Sequence, residues 1–136
     1  MRQLQKIKVM KENEIAIYRP DNSVQLEVLL KNETIWLNQK LIATLFDCSS
    51  GNISLHLRNI FKENELDECS VVEESSTTAS DGKIYKTKHY NLDAIIAVGY
   101  RVNSKRATAF RQWATSVLKD LGKKWFAFSK MKLSPL

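Results

Sequence analysis

Apolar and polar residues alternate from Ile15 to Leu37 in three runs, IAIYRP, VQLEVLL and TIWL. Each run is rich in β-branched or aromatic residues, and the two-residue period predicts strands. Asp21, Asn22 and Ser23 mark a first turn and Lys31, Asn32 and Glu33 a second. The result is a β-meander whose inner face is expected to be Ile15, Ile17, Leu26, Val28, Ile35 and Leu37. The period then changes. Leu37, Leu41, Ile42, Leu45 and Phe46, and after a polar break Ile53, Leu57, Ile60 and Phe61, recur at helical spacing. The break, DCSSGN, is too polar to continue a helix and too short for more than a corner, so the segment Trp36 to Phe61 has the outline of a helix-turn-helix. In that frame Ala43 is the small residue where the helices cross, and Cys48 and Ile53 are apolar plugs beside the turn. Asp47 takes a turn position that requires positive φ. Gly51 falls inside the second helix, at about 1 kcal/mol relative to Ala.

Beyond Phe61, KENELDECS reads as an acidic loop with a helical turn over Glu63 to Leu66. VVEESSTT and KIYKTKHYNL follow as two strands joined at Ser80-Asp81-Gly82-Lys83, where Asp-Gly favours a two-residue type I′ turn. Thr77, Thr78, Lys83, Lys86 and Lys88 lie near its tip or on its exposed face. Asn91 is placed to cap a helix over 92–102, with Asp93 in its first turn and Leu92, Ile95, Ile96 and Val98 buried; Gly99 marks either its end or a close contact. Asn103 or Ser104 caps a longer helix that stops at Gly122. Its stripe of Ala107, Phe110, Trp113, Ala114, Val117, Leu118 and Leu121 faces the core and leaves Lys105, Arg106, Arg111 and Lys119 outside. The pattern predicts an α+β fold: a winged helix-turn-helix-like domain over residues 15–122, with an N-terminal β-meander, a hairpin wing and two C-terminal helices. A flexible basic arm, 1–14, precedes it. A basic aromatic tail, 123–136, with Trp125, Phe126 and Phe128, follows as the start of a further domain or as a patch for a protein partner.

Composition adds limits. With 136 residues, 43% of them hydrophobic, the chain can bury one core. No run of about 18 apolar residues predicts a membrane span, and the N-terminus lacks the apolar stretch of a secretory signal, which points to the cytoplasm and the nucleoid. Two cysteines are too few for a disulfide framework. The net charge of +6 is unevenly spread. Residues 91–136 hold nine basic and two acidic residues, whereas 37–70 hold three basic and five acidic, so attraction for a polyanion is centred on the C-terminal third.

Catalytic and metal chemistry find no foothold in this pattern. His56, His89, Cys48 and Cys69 have no metal-ligand spacing, the four glycines form no phosphate-binding loop, and Glu63, Glu65, Asp67 and Glu68 read as a solvated loop. No cofactor and no enzymatic activity are expected. The outward positions of the second helix are Ser49, Ser50, Gly51, Ser54, Leu55 and Arg58. Arg58 is the best base-reading candidate, because a guanidinium pairs with guanine in the major groove; Ser49, Ser50, Asn52, Ser54 and Asn59 are the others. Lys83, Lys86 and Lys88 on the hairpin, with Arg101, Asn103, Lys105 and Arg106 around a helix N-terminus, are the candidates for the phosphate backbone. The partner they imply is double-stranded DNA, bound by a homodimer if the site is a palindrome.

The stretches TIWLNQKLIATLF, ELDECS and TTASDGKIYKTKHYNLDAIIAVGYRVNSKRATAFRQWAT resemble the RhuM-type virulence protein family, over roughly residues 10–122. FRQWATSVL is also similar to a segment of phage antirepressor Bro-N domains. The resemblance implies a DNA-binding or phage-associated regulator, encoded near mobile elements and without established catalytic activity. It also implies an alternative, an antirepressor-type protein-interaction module on an inherited helix-turn-helix scaffold. Family members tend to carry basic residues where this chain has Ser50 and Leu55.

Overall fold

The structure, a computed structural model, describes residues 14–133, with side-chain surroundings for 14–76 and 78–122. The expected arm and the last three residues of the tail therefore lie outside the described residues, apart from Glu14, which opens the first strand. The class is α+β: among the described residues, one antiparallel sheet of five strands and five helices.

The meander forms as the alternation requires. β1 (Glu14–Asp21), β2 (Val24–Lys31) and β3 (Thr34–Asn38) pair in order, and Asn32 and Glu33 turn the second corner with positive φ. Leu26, Val28, Leu30, Ile35 and Leu37 enter the core, but β1 presents the opposite face from the one expected. Ile15 is 55% exposed and Ile17 half-buried, while Glu14, Ala16 and Tyr18 turn inward. The reason is pairing parity. Glu14, Ala16 and Tyr18 stand opposite Leu30, Val28 and Leu26, and directly opposed residues of antiparallel strands share a face. Tyr18 secures the choice, its ring lying 5.0 Å from that of Phe110 and 4.7 Å from that of Trp113.

Helix α1 (Gln39–Phe46) starts where the Asn38 side chain accepts from the Leu41 N–H at 2.8 Å. It ends at Asp47, which takes the left-handed conformation expected of it, φ 56° and ψ 54°. The Cys48 N–H then reaches the Ala43 carbonyl and the Asp47 N–H the Thr44 carbonyl, the paired bonds of a Schellman cap. Helix α2 (Ser50–Lys62) begins with Ser49 as its cap, so Gly51 sits in the first turn and not in the interior, where its cost is smaller than expected. α2 closes with a second Schellman cap at Asn64, φ 60°. The single turn expected over Glu63 to Leu66 is displaced: α3 (Glu68–Val71) starts at Asp67, whose carboxylate accepts from the Cys69 N–H.

β4 (Val72–Thr78) and β5 (Ile84–Asn91) form the hairpin, and β5 docks on β3 to give the order β1-β2-β3-β5-β4. Its turn is not type I′. Only Gly82 has positive φ, 86°, and the Gly82 N–H bonds the Ala79 carbonyl while the Ala79 N–H bonds the Lys83 carbonyl. That is a three-residue loop with glycine in the left-handed position, and the Asp81 carboxylate steadies it by accepting from the Lys83 N–H at 2.9 Å.

α4 (Leu92–Val102) has the expected bounds and the expected Asn91 cap. Gly99 marks a close contact: a Cβ there would stand 2.7 Å from Phe46 Cε1 and 2.8 Å from Ala107 Cβ. Asn103 serves both neighbours, donating its N–H to the Gly99 carbonyl and accepting from the Arg106 N–H to cap α5 (Ser104–Leu133). α5 runs straight through Gly122, which the sequence reading had as its end. Gly122 does not adopt positive φ, so the backbone stays helical and the cost of an interior glycine is about 1 kcal/mol. Trp125, Phe126 and Phe128 are thus in the last part of α5, where only the backbone is described. Ala107, Phe110 and Ala114 close the core with Phe46, Ile95 and Val98. Among the described residues no helix is long and apolar enough to cross a membrane.

Candidate nucleic-acid interface

α2 is an amphipathic helix with one committed face. Ile53, Leu57 and Ile60 are buried at 4% exposure or less, and α1 and α4 are the helices it packs on. On the other side Gly51, Leu55, Arg58 and Lys62 are exposed. The candidate base-reading residues divide accordingly. Arg58 is open and makes no ion pair among the described residues. Ser49 is occupied as the cap, its hydroxyl accepting from the Asn52 N–H at 3.0 Å. Ser50 accepts from Gln39 Nε2 with both its hydroxyl, at 2.9 Å, and its carbonyl, at 2.8 Å, tying the start of α2 to the start of α1. Asn52, Ser54 and Asn59 are half-buried. Asn52 also bonds the Cys48 thiol, whose pKa burial pushes above its ordinary value.

The arginines expected at the phosphate backbone serve the fold instead. Arg101 donates to Glu63 at 3.0 Å and Glu65 at 2.8 Å, holding α4 to the loop after α2. Arg106 donates to the Leu45 carbonyl at 2.7 Å and the Asp21 carboxylate at 2.9 Å, so it closes the C-terminal end of α1 against the β1–β2 turn. Asn103 is a cap. Of that cluster, Lys105 alone stands exposed without such a partner among the described residues. The pairings span 36 to 85 residues of sequence, which is why local spacing could not disclose them.

The hairpin lysines are differently placed. β3 covers β5 only through Asn38–His89, Leu37–Tyr90 and Trp36–Asn91, whereas β4 and β5 stay paired out to Thr78–Ile84. The outer half is therefore a free two-stranded ribbon, about 15 Å long at 3.3 Å per residue. Lys83, Lys86 and Lys88 are exposed on it and make no ion pair among the described residues; Lys86 faces Ser76, and Lys88 faces Glu74. Ile84 and Tyr85, at 68% and 50% exposure, are the residues the sequence reading missed. The signal was present: two large apolar neighbours on one strand point to opposite faces, so both cannot be buried by one sheet. At the ribbon's root burial resumes, and it lowers the His89 pKa below its ordinary value, with Glu73 opposing and Lys31 assisting.

A cleft of about 470 Å³ lies beside α1 and the start of α5, lined by Asp21, Ser23, Val24, Ala43, Thr44, Asp47, Cys48 and Arg106. Its two carboxylates and a committed guanidinium make it a poor seat for phosphate. Among the described residues no group of three or more His, Cys, Asp or Glu side chains is placed to hold a metal ion.

Residues 70–135 fit the model of the Virulence protein RhuM family, so the resemblance read in the sequence holds over the ribbon and the last two helices. Comparison with curated proteins finds no match, and comparison with solved structures finds none.

Proposed function

We propose that this RhuM-type chain is a non-enzymatic DNA-binding protein, a regulator associated with phage or other mobile elements, working at the nucleoid. In this reading α1, its left-handed turn and α2 act as a winged helix-turn-helix: α2 offers Arg58 and Leu55 to the major groove, and the β4–β5 ribbon is the wing. The supporting observation is the division of the cations. The fold consumes Arg101 and Arg106, but Arg58, Lys83, Lys86 and Lys88 stay exposed, without an ion pair among the described residues, on α2 and on a projecting ribbon. Arg58 suits guanine, Leu55 a thymine methyl, and the lysines phosphate.

The test is binding to random and phage-derived duplexes, followed by anisotropy from low to physiological salt. Affinity should fall steeply as salt rises, since each neutralised phosphate releases counterions. Arg58→Ala should weaken binding about tenfold or more and relax sequence preference, by the loss of roughly 1–3 kcal/mol for a bidentate contact. Absence of any binding at low salt would falsify the reading.

A further inference from the structure

We infer that Ile84 is an apolar wedge, carried on the ribbon into the minor groove of duplex DNA, and that the protein bends the DNA it binds. The inference rests on the DNA-binding reading above and adds a deformation to it. Isolated exposed apolar residues are ordinary on protein surfaces. Ile84 differs by its position. It is the last residue in register on the ribbon, opposite Thr78, farthest from the sheet and 68% exposed. Strand alternation puts Lys86 and Lys88 on its face, and they stand about 7 Å apart, roughly two phosphates along one strand. The same face becomes Tyr90 at the root, which is 7% exposed and enters the core, so it looks to the side of the sheet that carries the helices. An apolar tip followed by a row of cations, on the side of α2, is the arrangement of a groove-entering arm.

Dimensions supply the second step. The proposed placement puts α2 in the major groove and the ribbon in the adjacent minor groove, about 6 Å wide. Two strands about 4.8 Å apart, with their side chains, do not enter without opening it. Opening the minor groove bends the duplex toward the major groove, and an apolar side chain at the opened step takes the place of part of the lost base stacking. The steps that yield most easily are pyrimidine–purine steps, so DNA flexibility would contribute to site choice where no base is contacted. Tyr85, on the opposite face with Thr87, flanks the wedge and is not required to enter.

The experiment uses the full chain and a duplex of about 30 bp rich in TpA steps, with donor and acceptor dyes at its ends and 2-aminopurine beside a central step. Wild-type protein should raise energy transfer and brighten 2-aminopurine at saturation. Ile84→Ala should abolish both signals while lowering affinity about tenfold or less, and Ile84→Met, long and apolar, should restore them. Lys86→Ala should weaken binding but leave the bend at saturation unchanged. Thermal melting of each variant checks that the fold is intact. Binding by wild type without a bend, or an Ile84→Ala complex as bent as wild type, overturns the wedge and leaves DNA binding standing. No binding by wild type at low salt overturns both.

Discussion

Around Phe46 the side chains are packed on one another, whereas on the ribbon beyond Ser75 and Thr87 most of the described side chains are exposed. Phe46 is 1% exposed and lies against Gly99, in a niche that admits no side chain there, with Ala107 on the far side. The nearby polar groups are equally committed, Arg106 to Leu45 and Asp21, Asn103 to the ends of two helices. The ribbon has its ladder hydrogen bonds and a well-made turn, yet its lysines, Ile84 and Tyr85 face solvent. A chain that commits Arg101 and Arg106 to internal contacts while leaving Arg58, Lys83, Lys86 and Lys88 exposed has separated residues that determine stability from those available for binding. Substitutions in the two regions should have effects of different kinds.

The largest effect should come from Phe46→Ala, a loss of about 3–5 kcal/mol measured by urea unfolding, since the surrounding helices cannot collapse onto the cavity. A loss below about 1 kcal/mol would show that α4 can close on α1 and that the niche is not rigid. Gly99→Ala comes next. Alanine favours a helix interior by about 1 kcal/mol over glycine. Against that gain, the new methyl meets Phe46 and Ala107, both fully packed, and overpacking costs about 1–3 kcal/mol. The net outcome should be destabilising, and a variant more stable than wild type would break the contrast at its centre.

Arg106→Gln should cost about 1 kcal/mol, allowing for a guanidinium 24% exposed, and leave the DNA affinity of the folded protein within about twofold. A Lys83, Lys86 and Lys88 triple substitution to Ala should do the reverse. Its unfolding free energy should stay within about 0.5 kcal/mol of wild type, while the slope of log affinity against log salt falls by about three. A slope that does not change would remove the ribbon from the interface.

The smallest effect joins the two regions at His89, where ribbon meets sheet. Unfolded, His89 takes a proton near its ordinary value of 6.5; folded, burial holds its pKa lower. Below 6.5 the unfolded state therefore binds more protons, so the stability present above 6.5 is lost as pH falls through the folded value. Melting temperatures from pH 7.5 down to 5 should show this decline, and His89→Asn should flatten it.

Much of the frame could be read in the chain because its signals are local. Asn91 announces a helix start, Asp47 announces a left-handed turn, and the alternation in VQLEVLL marks a strand with one buried face. What failed was decided at a distance. Ile15 and Ile17 are more apolar than Ala16, yet the register with β2 and the rings of Phe110 and Trp113 chose the other face. Gly122 looked like a stop because glycine often is one, but only a left-handed backbone makes it so. Arg101 and Arg106 looked available because their carboxylates and carbonyl lie far off in sequence.

The ring contacts of Tyr18 with Phe110 and Trp113 also bear on how the chain reaches this state. Contacts between residues so distant in sequence form late, because loop closure must precede any reward from packing. During synthesis β1 is made before α5, so the ring contacts that fix its inner face cannot form until α5 has emerged. Among the described strands, the first to be made is thus among the last to be secured.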